Sequence, residues 1–96
     1  MKESPVEMRL IQEVKKIGGL CKKWVCPGWS GVPDRIVLLP QGQICFVELK
    51  ATAKKERRLQ ELRHEQLRGM GFKVYSAVDS YEKIDQIIKE LGGDLK

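Results

Sequence analysis

Two apolar runs, Arg35 to Leu39 and Ile44 to Lys50, flank the tetrapeptide Pro40-Gln41-Gly42-Gln43. Proline and glycine so close together interrupt regular structure, and the runs on either side are rich in Ile, Val, Leu and Phe, so the stretch predicts a β-hairpin. The nearly unbroken apolar character of Arg35–Leu39 suits a strand covered on both faces. Acidic residues nevertheless stand where strand sequences should be apolar. Asp34 opens the first strand directly after Gly31-Val32-Pro33, and Glu48 interrupts Phe46-Val47-Glu48-Leu49, with Lys50 two residues on. Strand side chains alternate, so Glu48 and Lys50 share a face. Whether Asp34 joins them depends on the turn. A three-residue loop, Gln41-Gly42-Gln43, pairs Ile36 with Glu48 and Asp34 with Lys50. A two-residue Gln41-Gly42 turn puts Asp34 opposite Leu49, on the other face. A shared face therefore requires an odd-length loop, or a bulge that shifts the pairing.

The rest of the chain supplies flanking elements. Ser4-Pro5-Val6-Glu7 carries a capping residue, a proline at the first helical position and a glutamate placed for a capping box. The helix it opens runs to Ile17, where Gly18-Gly19 can end it. Val6, Leu10, Ile11, Val14 and Ile17 fall on one side of this helix, and Glu7 lies inside that apolar arc. Leu20 to Cys26 reads as a strand, followed by the loop Pro27-Gly28-Trp29-Ser30-Gly31-Val32-Pro33. A second helix fits Glu56 to Arg68, with Leu59, Leu62, Gln66 and Met70 along one side. Phe72 to Val78 is a fourth strand, and Asp79-Ser80 opens a last helix ending at Gly92-Gly93. The order α-β-β-β-α-β-α predicts an α/β fold of α+β mixed type, with a mixed central sheet flanked by helices.

At 96 residues the chain has room for one domain, residues 1–96. No apolar run approaches the ~18 residues of a membrane span, and Met1 to Pro5 lacks the apolar stretch of a signal peptide. A cytoplasmic protein with no membrane association is the expectation. Cys21, Cys26 and Cys45 form no Cys-x-x-Cys pair and are expected to be reduced, buried thiols rather than a zinc site. The net charge is +5, unevenly spread: residues 1–78 carry 15 basic against 8 acidic side chains, residues 79–96 carry 3 against 5. A polyanion should therefore meet the first four-fifths of the chain. The densest basic stretch is Lys54, Lys55, Arg57, Arg58, Arg63 and Arg68, relieved by Glu56, Glu61 and Glu65, and a solvated helix face accounts for it equally well.

Two carboxylates on neighbouring strands offer hard oxygen donors suited to Mg²⁺ or Mn²⁺. Such an ion can hold a phosphate oxygen and make hydroxide available near neutral pH, and a lysine beside it can orient that nucleophile. The plain alternative is structural, with Asp34 capping its strand and Glu48 paired with Lys50 at the surface. No Ser-His-Asp constellation, Walker-type loop or dinucleotide-binding glycine pattern points to another chemistry, and no organic cofactor is implied.

Gly31-Val32-Pro33-Asp34-Arg35-Ile36 followed by Phe46-Val47-Glu48-Leu49-Lys50 resembles the PD-(D/E)xK nuclease signature, and more narrowly the stand-alone VRR-NUC domains, the virus-type replication-repair nucleases. The resemblance takes in the helix carrying Glu7, Gly18-Gly19, the Gly-x-Pro-Asp-Arg segment, the Glu-x-Lys strand and a later helix carrying Gln66. It implies a restriction-endonuclease-like α-β-β-β-α-β core. It makes Asp34 and Glu48 metal ligands, with the Leu49 backbone carbonyl beside them and Glu7 reaching the metal directly or through water. Lys50 would position or activate the attacking water, and Gln66 would support Lys50 or the scissile phosphate. Arg35, Arg63 and the run Lys54, Lys55, Arg57 and Arg58 become candidates for phosphate-backbone contacts. A capping glutamate at Glu7 and a core amide at Gln66 remain compatible readings. Trp24 is expected in the core; Trp29 is expected to pack against core or partner, or to stack on an unpaired base. His64, between Arg63 and Glu65, is expected to be solvated or to play a mildly basic role.

The implied activity is that of a Mg²⁺- or Mn²⁺-dependent, structure-selective endodeoxyribonuclease of phage or bacterial cytoplasm. It would act on branched DNA as a homodimer in the manner of a Holliday-junction resolvase, since two-fold symmetry suits a four-way junction. The regions around Met8 and Trp29 are candidate dimer surfaces. A flap- or nick-directed nuclease, an RNA nuclease, and a DNA-binding module or subunit inactive without a partner are the alternatives.

Overall fold

The computed structural model describes residues 3–49 and 54–94, the side chains of 54–56, 93 and 94 excepted. The elements are α1 (Pro5–Lys16), β1 (Leu20–Lys23), β2 (Arg35–Leu38), β3 (Ile44–Leu49), α2 (Lys54–Gly69), β4 (Lys73–Val78) and α3 (Tyr81–Asp94). The expected order is therefore observed. The strands form one mixed sheet in the order β1-β2-β3-β4, antiparallel across β1, β2 and β3 and parallel between β3 and β4.

The start of α1 follows its sequence. The Ser4 hydroxyl accepts from the Glu7 backbone N–H at 3.1 Å, and Pro5 stands where a helix has no use for an N–H. The helix stops at Gly18, whose φ of +88° favours glycine. The amides of Gly18 and Gly19 return to the Lys15 and Val14 carbonyls. Gly19 is needed for a different reason. A Cβ there would lie 2.7 Å from the Leu38 carbonyl oxygen, 2.9 Å from Leu39 Cδ2 and 3.0 Å from Val14 Cγ1. The chain crosses from α1 into β1 so close to the end of β2 that no side chain fits.

Helices α1 and α3 cover one face of the sheet. Leu10 and Val14 of α1 meet Ile84, Ile87 and Leu91 of α3 over Cys21, Val37, Cys45, Val47 and Val78. An exposed Arg9–Asp85 ion pair, doubly bonded at 2.9 and 3.0 Å, closes the rim of the two helices. All three cysteines are free. Burial pushes the Cys21 thiol up to about 11 and the Cys45 thiol up to about 12, so both stay protonated.

The other face is covered less completely. Leu67 of α2 packs on Phe46 and Val74. Beside them runs an aromatic chain: Trp29 edge-on to Trp24, Trp24 stacked on Phe46 at 4.5 Å, and Phe46 edge-on to Phe72. Each such pair adds about 0.5–1.5 kcal/mol beyond its buried area. The tryptophans thus belong to the fold's own packing, Trp29 included. Because α2 links β3 to β4, it lies along those strands and leaves part of the β1–β2 half bare. Leu20, Leu38 and Ile44 are register partners across three strands and are 53, 38 and 38% exposed. The expectation that β2 is covered on both faces holds for Val37 but fails at Leu38.

Gly19→Ala should destabilise the protein by about 1–3 kcal/mol through overpacking. Gly69→Ala, in open space on α2, should stabilise it by about 0.5–1 kcal/mol through helix propensity. Urea denaturation of the two variants reads both signs.

Candidate active site

The hairpin turn brings the acidic residues together. Leu39 N–H donates to the Gln43 carbonyl at 2.8 Å, so the loop is Pro40-Gln41-Gly42, with Gln41 and Gly42 both at positive φ. It has the odd length that a shared face requires, but it lies one residue earlier than expected. Ile36 therefore pairs with Phe46, not Glu48, and Arg35 with Val47. One step beyond that last pair sets Asp34, not opposite Lys50, but beside Glu48 on the α2 side of the sheet. Two bonds hold Asp34 in line. Its carbonyl accepts from Trp24 N–H at 2.9 Å, and its Oδ2 accepts from Leu49 N–H at 2.8 Å.

Asp34 is half-buried, and loss of water pushes its carboxyl above the ordinary carboxylate range. The Leu49 N–H acts in the opposite direction. The negative charge of Glu7 raises the value again, and Arg35 lowers it. Glu48 is buried at 3% exposure. Opposite it, β4 departs from regular pairing: the register shifts between Val47 and Leu49, leaving Ser76 and Ala77 to face the single residue Glu48. Ala77 takes a φ of +56°, unusual for a residue with a side chain, and its carbonyl accepts from Lys83 Nζ at 3.1 Å.

A cleft of about 460 Å³ opens here between α2, the bulge and the start of α3. Glu48, Gln60, His64, Arg68, Ser76 and Lys83 are among its lining residues. His64 is 4% exposed, with Nε2 lying 3.8 Å from Glu48 Oε1 and without a hydrogen-bond partner. Burial, reinforced by Arg68, lowers its pKa, so the imidazole is neutral at pH 7. The expectation of a solvated His64 is thus overturned. The cause is the rotation of α2. His64 and Leu67 are buried, while Leu62 is 45% and Met70 64% exposed. Gln66 points to water and accepts from Arg63 Nη1 at 3.1 Å, so the structure does not bring it to the carboxylates. Gln60 lines the cleft instead. The sequence signal for it is its spacing from His64 and Leu67, four and seven residues on, one face of a helix.

Glu7 and Arg35 form a second charged group, on the α1 side of the sheet. Arg35 is 4% exposed; its Nε donates to Glu7 Oε2 at 2.8 Å, and its Nη2 lies 3.5 Å from Glu3 Oε2. This pairing is what a carboxylate inside the apolar arc of α1 is for, and it holds Glu7 where its charge acts on Asp34. Buried behind two carboxylates, Arg35 is not presented to a phosphate, contrary to expectation. Arg63 spans α2 and the glycine-rich loop. Its Nε donates to the Ser30 carbonyl at 2.7 Å, and its guanidinium lies 4.9 Å from the centre of the Trp29 ring. Arg57 and Arg58 are exposed. Lys50 lies outside the described residues, and the side chains of Lys54 and Lys55 are likewise not described.

Among the described residues, no three His, Cys, Asp or Glu side chains form a ready-made metal cage. The pair Asp34–Glu48 is a different kind of donor set. Two carboxylates from adjacent strands supply the one or two protein anions with which Mg²⁺ is normally held, the remaining ligands being water and phosphate oxygens. The desolvated Asp34 carboxylate would gain from a nearby cation. The residues present therefore fit such an ion.

No protein-family model matches the sequence. The chain is 46% identical over 74 residues to "Putative nuclease p44" of Acyrthosiphon pisum secondary endosymbiont phage 1, an alignment spanning 77% of this chain and 80% of that protein. Its fold superposes on a solved structure described as "VRR_NUC domain" with a TM-score of 0.76 and 33% identity, over 88% of this chain and 90% of the other. A mixed sheet that carries its acidic residues at one strand end is, with these relatives, that of a nuclease. The chain belongs to the VRR-NUC family. Among the described residues no helix is long and apolar enough to cross a membrane.

Because the folded pKa of Asp34 is raised, its proton is bound more tightly in the folded than in the unfolded state. Stability linked to this group is present at low pH and is lost as pH rises through the elevated folded pKa. At neutral pH the metal-free protein carries that penalty. Asp34→Asn keeps an acceptor for Leu49 N–H and should stabilise the metal-free protein at pH 7 by up to about 1 kcal/mol, a modest gain because water screens part of the charge. Melting curves of the two proteins at pH 3 and pH 7, in the presence of EDTA, measure the difference.

Proposed function

We propose that this nuclease is a divalent-metal-dependent endodeoxyribonuclease that hydrolyses phosphodiester bonds in branched DNA as a homodimer. The observation that carries the reading is the hairpin register, which sets Asp34 beside Glu48 at one end of the sheet. Asp34 and Glu48 would hold Mg²⁺ or Mn²⁺, with the Leu49 carbonyl beside them and Glu7 approaching from the α1 side, directly or through a water. When bound, the ion supplies a Lewis acid for a phosphate oxygen and an acidified water. Lys50, two residues after Glu48 in the sequence, would orient the attacking water. Gln60, in the cleft, is better placed than Gln66 to support the scissile phosphate. Arg57 and Arg58 present their charge to solvent on α2 and suit backbone phosphates, together with Lys54 and Lys55 on the same helix.

The bare apolar row Leu20–Leu38–Ile44 supports the dimer, since an apolar stripe running in register across three strands gains from being covered. It is a better candidate than Trp29, which is committed to its own aromatic cluster. Leu38→Glu should shift the protein from dimer to monomer in sedimentation equilibrium; a wild-type monomer overturns the dimer.

The activity is tested by incubating labelled four-way junction, flap, nicked duplex, linear duplex and RNA with the protein in Mg²⁺, Mn²⁺ or EDTA. Metal-dependent cutting with the junction preferred is expected. Asp34→Asn and Lys50→Ala should each lower the rate at least about 100-fold, above what loss of an outer partner of a metal site costs. Preferred cutting of flaps or nicks overturns the junction reading. DNA binding without cutting, equal in wild type and variants, overturns catalysis and leaves a binding module.

A further inference from the structure

The cleft contains a buried group that the hydrolysis just described does not use. His64 is 4% exposed, its Nε2 has no hydrogen-bond partner, and that atom lies 3.8 Å from Glu48 Oε1. A buried imidazole nitrogen is costly to leave unpaired, and this one is turned toward a carboxylate that is itself 3% exposed. Arg68 and Lys83 also line the cleft; Arg68 Nη2 donates to the Val74 carbonyl at 2.7 Å, and Lys83 Nζ serves Asp79 and the Ala77 carbonyl. Glu61 and Glu65 are also on the cleft wall.

We propose that His64 is a positioning residue for Glu48, its Nε2–H engaging Glu48 Oε1 so that the other carboxylate oxygen is turned toward the metal position. The inference rests on the reading of Asp34 and Glu48 as metal ligands. A neutral imidazole carries one N–H and can give it to Oε1 while the carboxylate keeps its charge for the ion. The present separation exceeds a hydrogen bond of about 2.7–3.2 Å by less than about 1 Å, a gap that a small rotation of the glutamate closes. A carboxylate engaged at Oε1 presents its other oxygen in a fixed direction. Outer partners of this kind change metal affinity about 10–100-fold.

The test is titration of metal-free protein with Mn²⁺ alone, without DNA, by isothermal calorimetry. Wild type is compared with His64→Leu, which fills the space without a donor, His64→Gln, which restores an N–H, and Asp34→Asn. Thermal melting in EDTA shows that each variant is folded. His64→Leu should weaken Mn²⁺ binding about 10–100-fold, His64→Gln should recover most of that loss, and Asp34→Asn should abolish binding. Wild-type affinity in His64→Leu, with Asp34→Asn still defective, overturns the role of His64 and leaves the metal site standing. Equal losses in His64→Leu and His64→Gln also overturn it, since shape rather than the hydrogen bond would then matter. Absence of Mn²⁺ binding by wild type overturns the metal reading and this inference together.

Discussion

A three-residue turn, Pro40-Gln41-Gly42, decides on which side of the sheet every residue of β2 and β3 points. With this loop, Val37, Cys45 and Val47 meet α1 and α3, and Ile36 and Phe46 face the aromatic chain. Slipping one strand by a single residue would turn the apolar set of β2 or β3 to the wrong side. The same slip would separate Asp34 from Glu48. The hydrophobic core and the acidic pair are therefore fixed by one register, and the Asp34–Leu49 hydrogen bond secures it at the end where the side chains become polar.

That end of the sheet contains two buried charges resolved in different ways. Arg35 faces α1 and its Nε is paired with Glu7 at 2.8 Å, an ion pair whose removal from one side would leave the other uncompensated. Glu48 faces α2 and meets a neutral imidazole beside a bulged strand. The first arrangement is an ion pair lying under α1. The second is open to a cleft, and the protein tolerates there a non-glycine residue at positive φ. Asp34 and Arg35, consecutive where β2 begins, thus face opposite layers: Asp34 toward Glu48 and α2, Arg35 toward Glu7 in α1.

Most of the architecture was legible from local signals. Ser4 and Pro5 fix the start of α1, Gly18-Gly19 its end, and the Pro-Gly turn between two apolar runs fixes the hairpin. The rotation of α2 was not legible. Its leucines, Leu59, Leu62 and Leu67, point in divergent directions, and the stripe through Leu59, Leu62, Gln66 and Met70 lies about a third of a turn from the buried one. The reason is physical: a helix that covers a carboxylate must put polar groups inward, so apolar periodicity stops reporting its inner face. Gln60 and His64 were hidden by that inversion. Arg35 was hidden by its neighbour, although alternation along the strand assigns it to the side on which Glu7 waits in α1. The loop lies one residue earlier than the sequence suggests because Gln41 adopts a left-handed conformation usually left to glycine.

Helix α2 is fastened by little apolar area. Among its described side chains only His64 and Leu67 are buried, and much of the remaining attachment is the Arg63 guanidinium gripping Ser30 and Trp29. Elements held in this way open at a fraction of the cost of global unfolding. The helix also carries a dense array of cations, whose mutual repulsion opposes its order. A polyanion bound along it removes that repulsion and, by mass action, adds its binding energy to the closed form. A nucleic acid lying against this helix would therefore firm the wall of the cleft.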